Sequence, residues 1–131
     1  METDETIKKG FLRLERYAQN IPGGFHCCAE DPENGYPFAY VSDRFLEILG
    51  WEREEFAARF DNRYTALIHP DDLAAGLRYR NAENSATYAK NGDSIFRILG
   101  KNGYRWVTNA ANQVEWYGKG YIVGTVTDIT P

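Results

Sequence analysis

Hydrophobic positions along this chain change period several times, and each period predicts a different element. From Ile7, the apolar residues Ile7, Phe11, Leu14, Ala18 and Ile21 recur at helical spacing, which puts them on one stripe of an amphipathic helix. Pro22-Gly23-Gly24 breaks that period, so residues 1–22 are expected as an N-terminal helix and the domain proper as residues 23–130. A heptad-like stripe serves two purposes equally well, packing on its own domain or on a partner helix in a dimer. The spacing then becomes alternation. Phe25 to Glu30 reads as a strand with Phe25, Cys27 and Ala29 inward and His26, Cys28 and Glu30 outward, if Cys27 counts as apolar. After the turn-rich Asp31 to Gly35, the aromatic and β-branched run Phe38 to Val41 predicts a second strand, paired with the first as a hairpin.

A helical period returns at Phe45, Leu46, Ile48 and Leu49, preceded by Ser42 or Asp43 as N-cap and stopped by Gly50. Glu52 to Phe60 predicts a second short helix with Phe56 and Phe60 one turn apart, and a further turn spans Tyr64 to Ile68. His69-Pro70-Asp71-Asp72 looks like a helix entry, with proline at the first position and carboxylates near the positive dipole end. The helix is expected to run to about Asn84, with Leu73 and Leu77 on its buried side. Beyond Lys90-Asn91-Gly92 the pattern is strands again: Ser94 to Leu99, Tyr104 to about Trp116, and Tyr121 to Ile129. Hairpin turns at Lys101-Asn102-Gly103 and Gly118-Lys119-Gly120 separate them. Helix, two strands, several helices and three strands close most simply as an α+β domain, a five-stranded antiparallel sheet with helices on one face.

Composition narrows the function classes. The chain has 131 residues, a net charge of −4 and no basic run, which disfavours a nucleic-acid partner. No apolar stretch is long enough for a membrane span, and METDETIKK lacks the apolar centre of a signal peptide, so a cytoplasmic location is expected. Cys27 and Cys28 are adjacent, which disfavours a structural disulfide, and are read as reduced thiols. With His26 they match no zinc spacing, so no metal is expected. Nor does a catalytic set emerge: on a strand His26 and Cys27 point to opposite faces, and His69, Asp71 and Asp72 read as helix-entry residues.

Four segments, in order, resemble a known family. They are Tyr40-Val41-Ser42-Asp43-Arg44-Phe45-Leu46-Glu47-Ile48-Leu49-Gly50-Trp51; Ile68-His69-Pro70-Asp71-Asp72; Phe96-Arg97-Ile98 with Lys101-Asn102-Gly103-Tyr104-Arg105-Trp106-Val107; and Asp128-Ile129-Thr130. Together they resemble the PAS sensor domains, in the variant common in bacterial signalling proteins, from about Gly24 to Thr130. Asn102 departs from the usual Asp before Gly, a change that a turn tolerates. The resemblance implies a sheet with its first and last strands central and a cavity under the helices that takes a small molecule. It also implies an attached output domain, such as a histidine kinase or diguanylate cyclase. Asp128 and Thr130 would tie the last strand to the outgoing helix and carry the signal. Thr130-Pro131 has the form of a helix start, so residue 131 reads as the beginning of a truncated linker.

Cofactor variants of that family are testable by residue. The covalent flavin class carries a cysteine before the long helix, and Asp61 to Asp72 has none; the haem class carries a histidine within that helix, and Asp72 to Asn84 has none. Both are disfavoured, and no cofactor is identified. Alternation outlines the candidate pocket: Cys27, Phe96, Ile98, Val107, Asn109, Gly124 and Val126 are the expected ligand-binding set, with Ala111, Ile122 and the polar Ser94 on the same face. Asn109 either orients a ligand or is satisfied within a packed core. The opposite face carries Arg97, Leu99, Trp106, Thr108, Thr125 and Thr127, a surface suited to a covering helix or a homodimer, with Trp106 its main contact and, with Asp128 and Thr130, a signalling residue. The expected function is a non-catalytic sensor, with an interaction-only module and, more remotely, a small enzyme on the same scaffold as alternatives.

Overall fold

A computed structural model describes residues 23–77 and 93–131. The expected N-terminal helix and the continuation of the helix to Asn84 lie outside the described residues. The elements are β1 (Gly24–Ala29), a 3-10 turn (Pro32–Asn34), β2 (Phe38–Val41), α1 (Asp43–Leu49), α2 (Arg53–Phe60) and α3 (Tyr64–Leu67). A second 3-10 turn (Pro70–Asp72), α4 (Leu73–Gly76), β3 (Asp93–Gly100), β4 (Gly103–Trp116) and β5 (Lys119–Asp128) follow. The strands form one antiparallel sheet in the order β2-β1-β5-β4-β3, so the first and last strands lie side by side in its interior.

Local chemistry explains the helix starts and stops. Ser42 is the cap of α1: its Oγ accepts from Phe45 N at 3.2 Å and also from Phe25 N at 3.0 Å, so one hydroxyl starts the helix and anchors β1. Gly50 ends α1 in the left-handed region, at φ 80°. A Cβ at Gly24 would sit 2.6 Å from Phe45 Cα, so β1 and α1 pack backbone to backbone there. The core between helices and sheet is aromatic. Phe38, Phe45, Phe56 and Phe60 are buried with Phe96, Ile98, Val107 and Val126 from the sheet, each worth roughly 1.5–3 kcal/mol of burial. Edge strand β3 is covered by the segment before α4: Ile68 bridges Ile98, His69 N donates to Arg97 O at 2.9 Å, and Arg97 N donates to Asp72 Oδ2 at 2.9 Å.

Alternation places β3, β4 and β5 as expected, but β1 has the reverse phase. His26 and Cys28 face the helices, and Cys27 packs on the opposite face with Tyr121, Phe25, Tyr40 and Val123. The reason is that both faces of this interior strand are covered, so His26, Cys27 and Cys28 are all buried and polarity no longer marks the outside. Leu73 is also corrected. It is 36% exposed while Gly76 is buried against Ile68, because the 3-10 turn before α4 winds more tightly than an α-helix and shifts the phase. Leu99, expected outward, packs against the core edge, where Lys101 N bonds Leu49 O at 2.9 Å and draws the end of β3 onto α1. The last hairpin turns at Tyr117-Gly118, one residue early, with φ of 52° and 77° as a two-residue turn of this hand requires.

Candidate functional site

Three strands build a polar spot under the helices. His26 on β1 pairs with Gly124 on β5, and Gly124 pairs with Ala111 on β4, two residues from Asn109 on the same face. Gly124 has no side chain, and this lets the flanking ones meet above it. His26 Nε2 lies 3.0 Å from Asn109 Oδ1, and a Cβ on Gly124 would fall 2.6 Å from that oxygen and 2.7 Å from that nitrogen. An amide oxygen only accepts, so Nε2 carries the proton and Nδ1 is left as an acceptor, 3.9 Å from Cys28 Sγ. The imidazole stacks on Tyr64 at 5.3 Å and meets Phe45 at 5.6 Å. The Tyr64 hydroxyl in turn donates to Gly76 O at 3.0 Å, which ties α3 to α4 beside the imidazole.

Everything titratable here is held neutral. Burial pulls the His26 pKa down to about 4, against the opposing effect of the Asn109 bond. Burial also raises the Cys28 thiol, with repulsion between it and the adjacent Cys27 group when both ionise adding to the effect, and raises the Tyr64 phenol well above its ordinary value. Cys27, on the other face, is pushed up to about 12 by burial. These are the opposite of a nucleophilic cysteine's surroundings. Beside the imidazole is a cavity lined by His26, Cys28, Tyr36, Tyr64, Leu77 and Asn109, with about 10 Å³ open to a water's centre, room for one molecule. Tyr36 is held over it at φ 55° by its N–H to Asp31 O, at 3.0 Å.

The expected pocket residues therefore divide. Asn109 lines the cavity and Gly124 floors the bond above it. Phe96, Ile98, Val107 and Val126 are buried on the same face but belong to the packed core, and Cys27 is on the far side of the sheet. His26, Cys28, Tyr36, Tyr64 and Leu77 were not among the expected ligand-binding residues. A glycine facing inward across from a histidine was the available signal, readable only once the β1–β5 register was known.

A second polar cluster lies at the end of β5. Asp128 Oδ2 accepts from Arg105 Nε at 3.0 Å and Nη2 at 2.7 Å, and its Oδ1 accepts from Thr130 N at 2.9 Å. Partial burial works to raise the Asp128 pKa, but the bonds from Thr130 and Arg105 outweigh it and hold the carboxyl below its ordinary value. Thr130 Oγ1 accepts from Trp106 N at 2.9 Å, and Ile129 N donates to Trp106 O at 2.9 Å. The Trp106 ring, 40% exposed, carries the Arg97 guanidinium 5.0 Å from its centroid, and Arg97 clamps Asp72 through Nε at 2.8 Å and Nη2 at 3.1 Å. The three expected signalling residues are thus in one bonded group, and Arg97 extends it to the helical side. Among the described residues no helix is long and apolar enough to cross a membrane.

Comparison with known proteins agrees with this architecture. The family model described as PAS fold matches residues 38–126. The PAS domain of an HTR-like protein from Haloarcula marismortui has a TM-score of 0.62 at 15% identity, over 96% of this chain and 97% of that one. A PAS domain from a two-component sensor histidine kinase has a TM-score of 0.58 at 13% identity, over 92% and 97%. A sensory box histidine kinase/response regulator from Burkholderia thailandensis has a TM-score of 0.54 at 23% identity, over 90% and 85%. At these identities the likeness is one of fold. No curated protein matches the chain.

Proposed function

The chain belongs to the PAS fold family, and on that premise we propose that it is a non-catalytic sensory module, acting in the cytoplasm, whose cavity takes a small ligand. A change there is passed along β5 to an attached output domain such as a histidine kinase or diguanylate cyclase. Its solved neighbours include a PAS domain from a two-component sensor histidine kinase and a sensory box histidine kinase/response regulator, which supports the signalling context. The observation that carries the reading is the neutral His26–Asn109 pair beside a cavity in a core that is mainly apolar. Buried hydrogen-bonding groups next to open space orient small molecules. The same strand that supplies Gly124 ends at Asp128, so a ligand that parts the pair shifts the strand leading to the exit.

A second reading has its own support. The cavity holds about one water and the rest of the core is packed, as in an interaction module that dimerises through its exposed sheet face, where Ile95 and Trp106 are 58% and 40% exposed. Native and denaturing mass spectra of the purified chain separate the two. A non-covalent adduct lost on denaturation is the expected result; a dimer free of any adduct would replace the sensory reading with the interaction module.

A further inference from the structure

The two nitrogens of His26 have different surroundings. Toward the helices, His26 and Gly124 form one cross-strand row of the sheet, and Cys28 and Ile122 form the next. Nε2 reaches over Gly124 to Asn109, whereas Nδ1 is on the side of the second row, 3.9 Å from Cys28 Sγ. Cys28 and Ile122 line the cavity together with His26, Tyr64 and the half-buried Tyr36 and Leu77, so the cavity is on the Nδ1 side of the ring. Burial holds the imidazole neutral at pH 7, and with the proton on Nε2 this leaves Nδ1 a fully buried acceptor. A thiol is a weak donor and 3.9 Å is long even for sulfur, so that acceptor is poorly satisfied beside room for one water. A buried acceptor in that condition costs stability until a better donor reaches it.

We propose that His26 Nδ1 and the Cys28 thiol recognise an uncharged hydroxyl of the ligand, that of an alcohol or a phenol. The hydroxyl donates to Nδ1, and its oxygen accepts from the Cys28 S–H. A hydroxyl holds donor and acceptor on one atom, as water does, so it takes the one-water space and answers both groups. An amine or amide N–H would answer Nδ1 alone, and an ether or ketone would offer Nδ1 nothing. A carboxylate or an ammonium would bring a charge that none of the described lining residues offsets. The rest of the ligand leads out between half-buried Tyr36 and Leu77, whose aromatic and aliphatic surfaces suit an apolar body. This assignment rests on the sensory reading and names the chemistry of its ligand.

The test is a titration of the full chain at pH 7 with phenol and with toluene, followed through the ring nitrogens of His26 by NMR. Toluene has the same size with a methyl in place of the hydroxyl, and a purely apolar cavity would prefer it. Phenol should bind saturably with millimolar affinity, the scale open to so small a probe, and should displace the Nδ1 resonance while Nε2, still bonded to Asn109, stays nearly in place. Toluene should bind about 5- to 10-fold more weakly, one hydrogen bond's worth, and leave Nδ1 unmoved. In His26→Leu the preference for phenol should vanish. Should that variant fail to fold, the affinity ratio and the Nδ1 displacement in the parent decide. Equal or tighter binding of toluene, or phenol binding that leaves Nδ1 in place, overturns the assignment and leaves the sensory reading to the mass-spectral adduct. An adduct without a hydroxyl would do the same. No saturable binding of phenol also overturns it, whether or not an adduct is found.

Discussion

The sheet carries two polar clusters, and they satisfy the same bonding need by opposite means. Under the helices His26, Asn109, Cys28 and Tyr64 are buried and uncharged; at the end of β5 Arg105 and Asp128 form an ion pair with side chains 42% and 23% exposed. Taking a charge out of water costs several kcal/mol, so the interior uses a neutral pair. In return, breaking that pair strands groups with nothing else to bind, whereas water replaces a rim contact at little cost. Stability should therefore be concentrated inside and ease of rearrangement at the rim, which suits a module that holds its fold while its exit moves.

The sharpest way to break this comparison is to fill the space over which the inner pair meets. Gly124→Leu forces atoms into the 2.6 and 2.7 Å approaches to Asn109 Oδ1 and His26 Nε2. It should cost about 4 kcal/mol or more, combining overpacking with two stranded polar groups, and urea unfolding measures it. A loss under about 1 kcal/mol would show that the pair relaxes freely and that the interior is no more demanding than the rim.

Acid provides the second test. His26 titrates near 4 when folded and near 6.5 when unfolded, so between those values the unfolded chain binds more protons. The stability of the neutral imidazole is complete above pH 6.5 and is lost as pH falls toward 4, by about 3 kcal/mol over that window. Asp72 and Asp128 are shifted below 3.8, so their contributions persist until the pH falls below the ordinary carboxylate range. Urea midpoints from pH 7 to 4.5 should fall in the parent and stay nearly level in His26→Gln. The ring nitrogens of His26, followed by NMR in the parent, should show the fixed Nε2–H form at pH 5. A charged imidazole at that pH would remove the distinction between the two clusters.

The two regions also differed in how far they could be read from sequence. The rim was legible because Asp128, Thr130 and Trp106 lie in short motifs, and because alternation on β3, β4 and β5 separates a covered face from an open one. The inner pair was not, since it joins residues 83 apart and depends on the register of β1 against β5, which no local pattern encodes. Cys27 shows why: on a strand buried on both sides, hydrophobicity cannot choose a face, and a buried histidine reads as an exposed one. In the sequence Asp72 looks like a helix-entry carboxylate, and its Arg97 clamp appears only when β3 is brought alongside.

The smallest expected effect on stability is at the rim, and it is the most informative about signalling. Asp128→Asn keeps an oxygen for Thr130 N but removes the charge that faces Arg105. Because both side chains meet water, the fold should lose less than about 1 kcal/mol. The tie between Thr130 and the strand end should nevertheless loosen. Hydrogen exchange at the Thr130 amide should rise several-fold, about what weakening one charge-assisted bond gives, with Gly124 and Asn109 unchanged. In a chain joined to its output domain, the same substitution should then uncouple output while the Asn109 and Gly124 resonances keep their parent positions. If Asp128→Asn instead disturbs the His26–Asn109 pair, the clusters form one cooperative unit, and the division of labour between a stable interior and a movable exit fails.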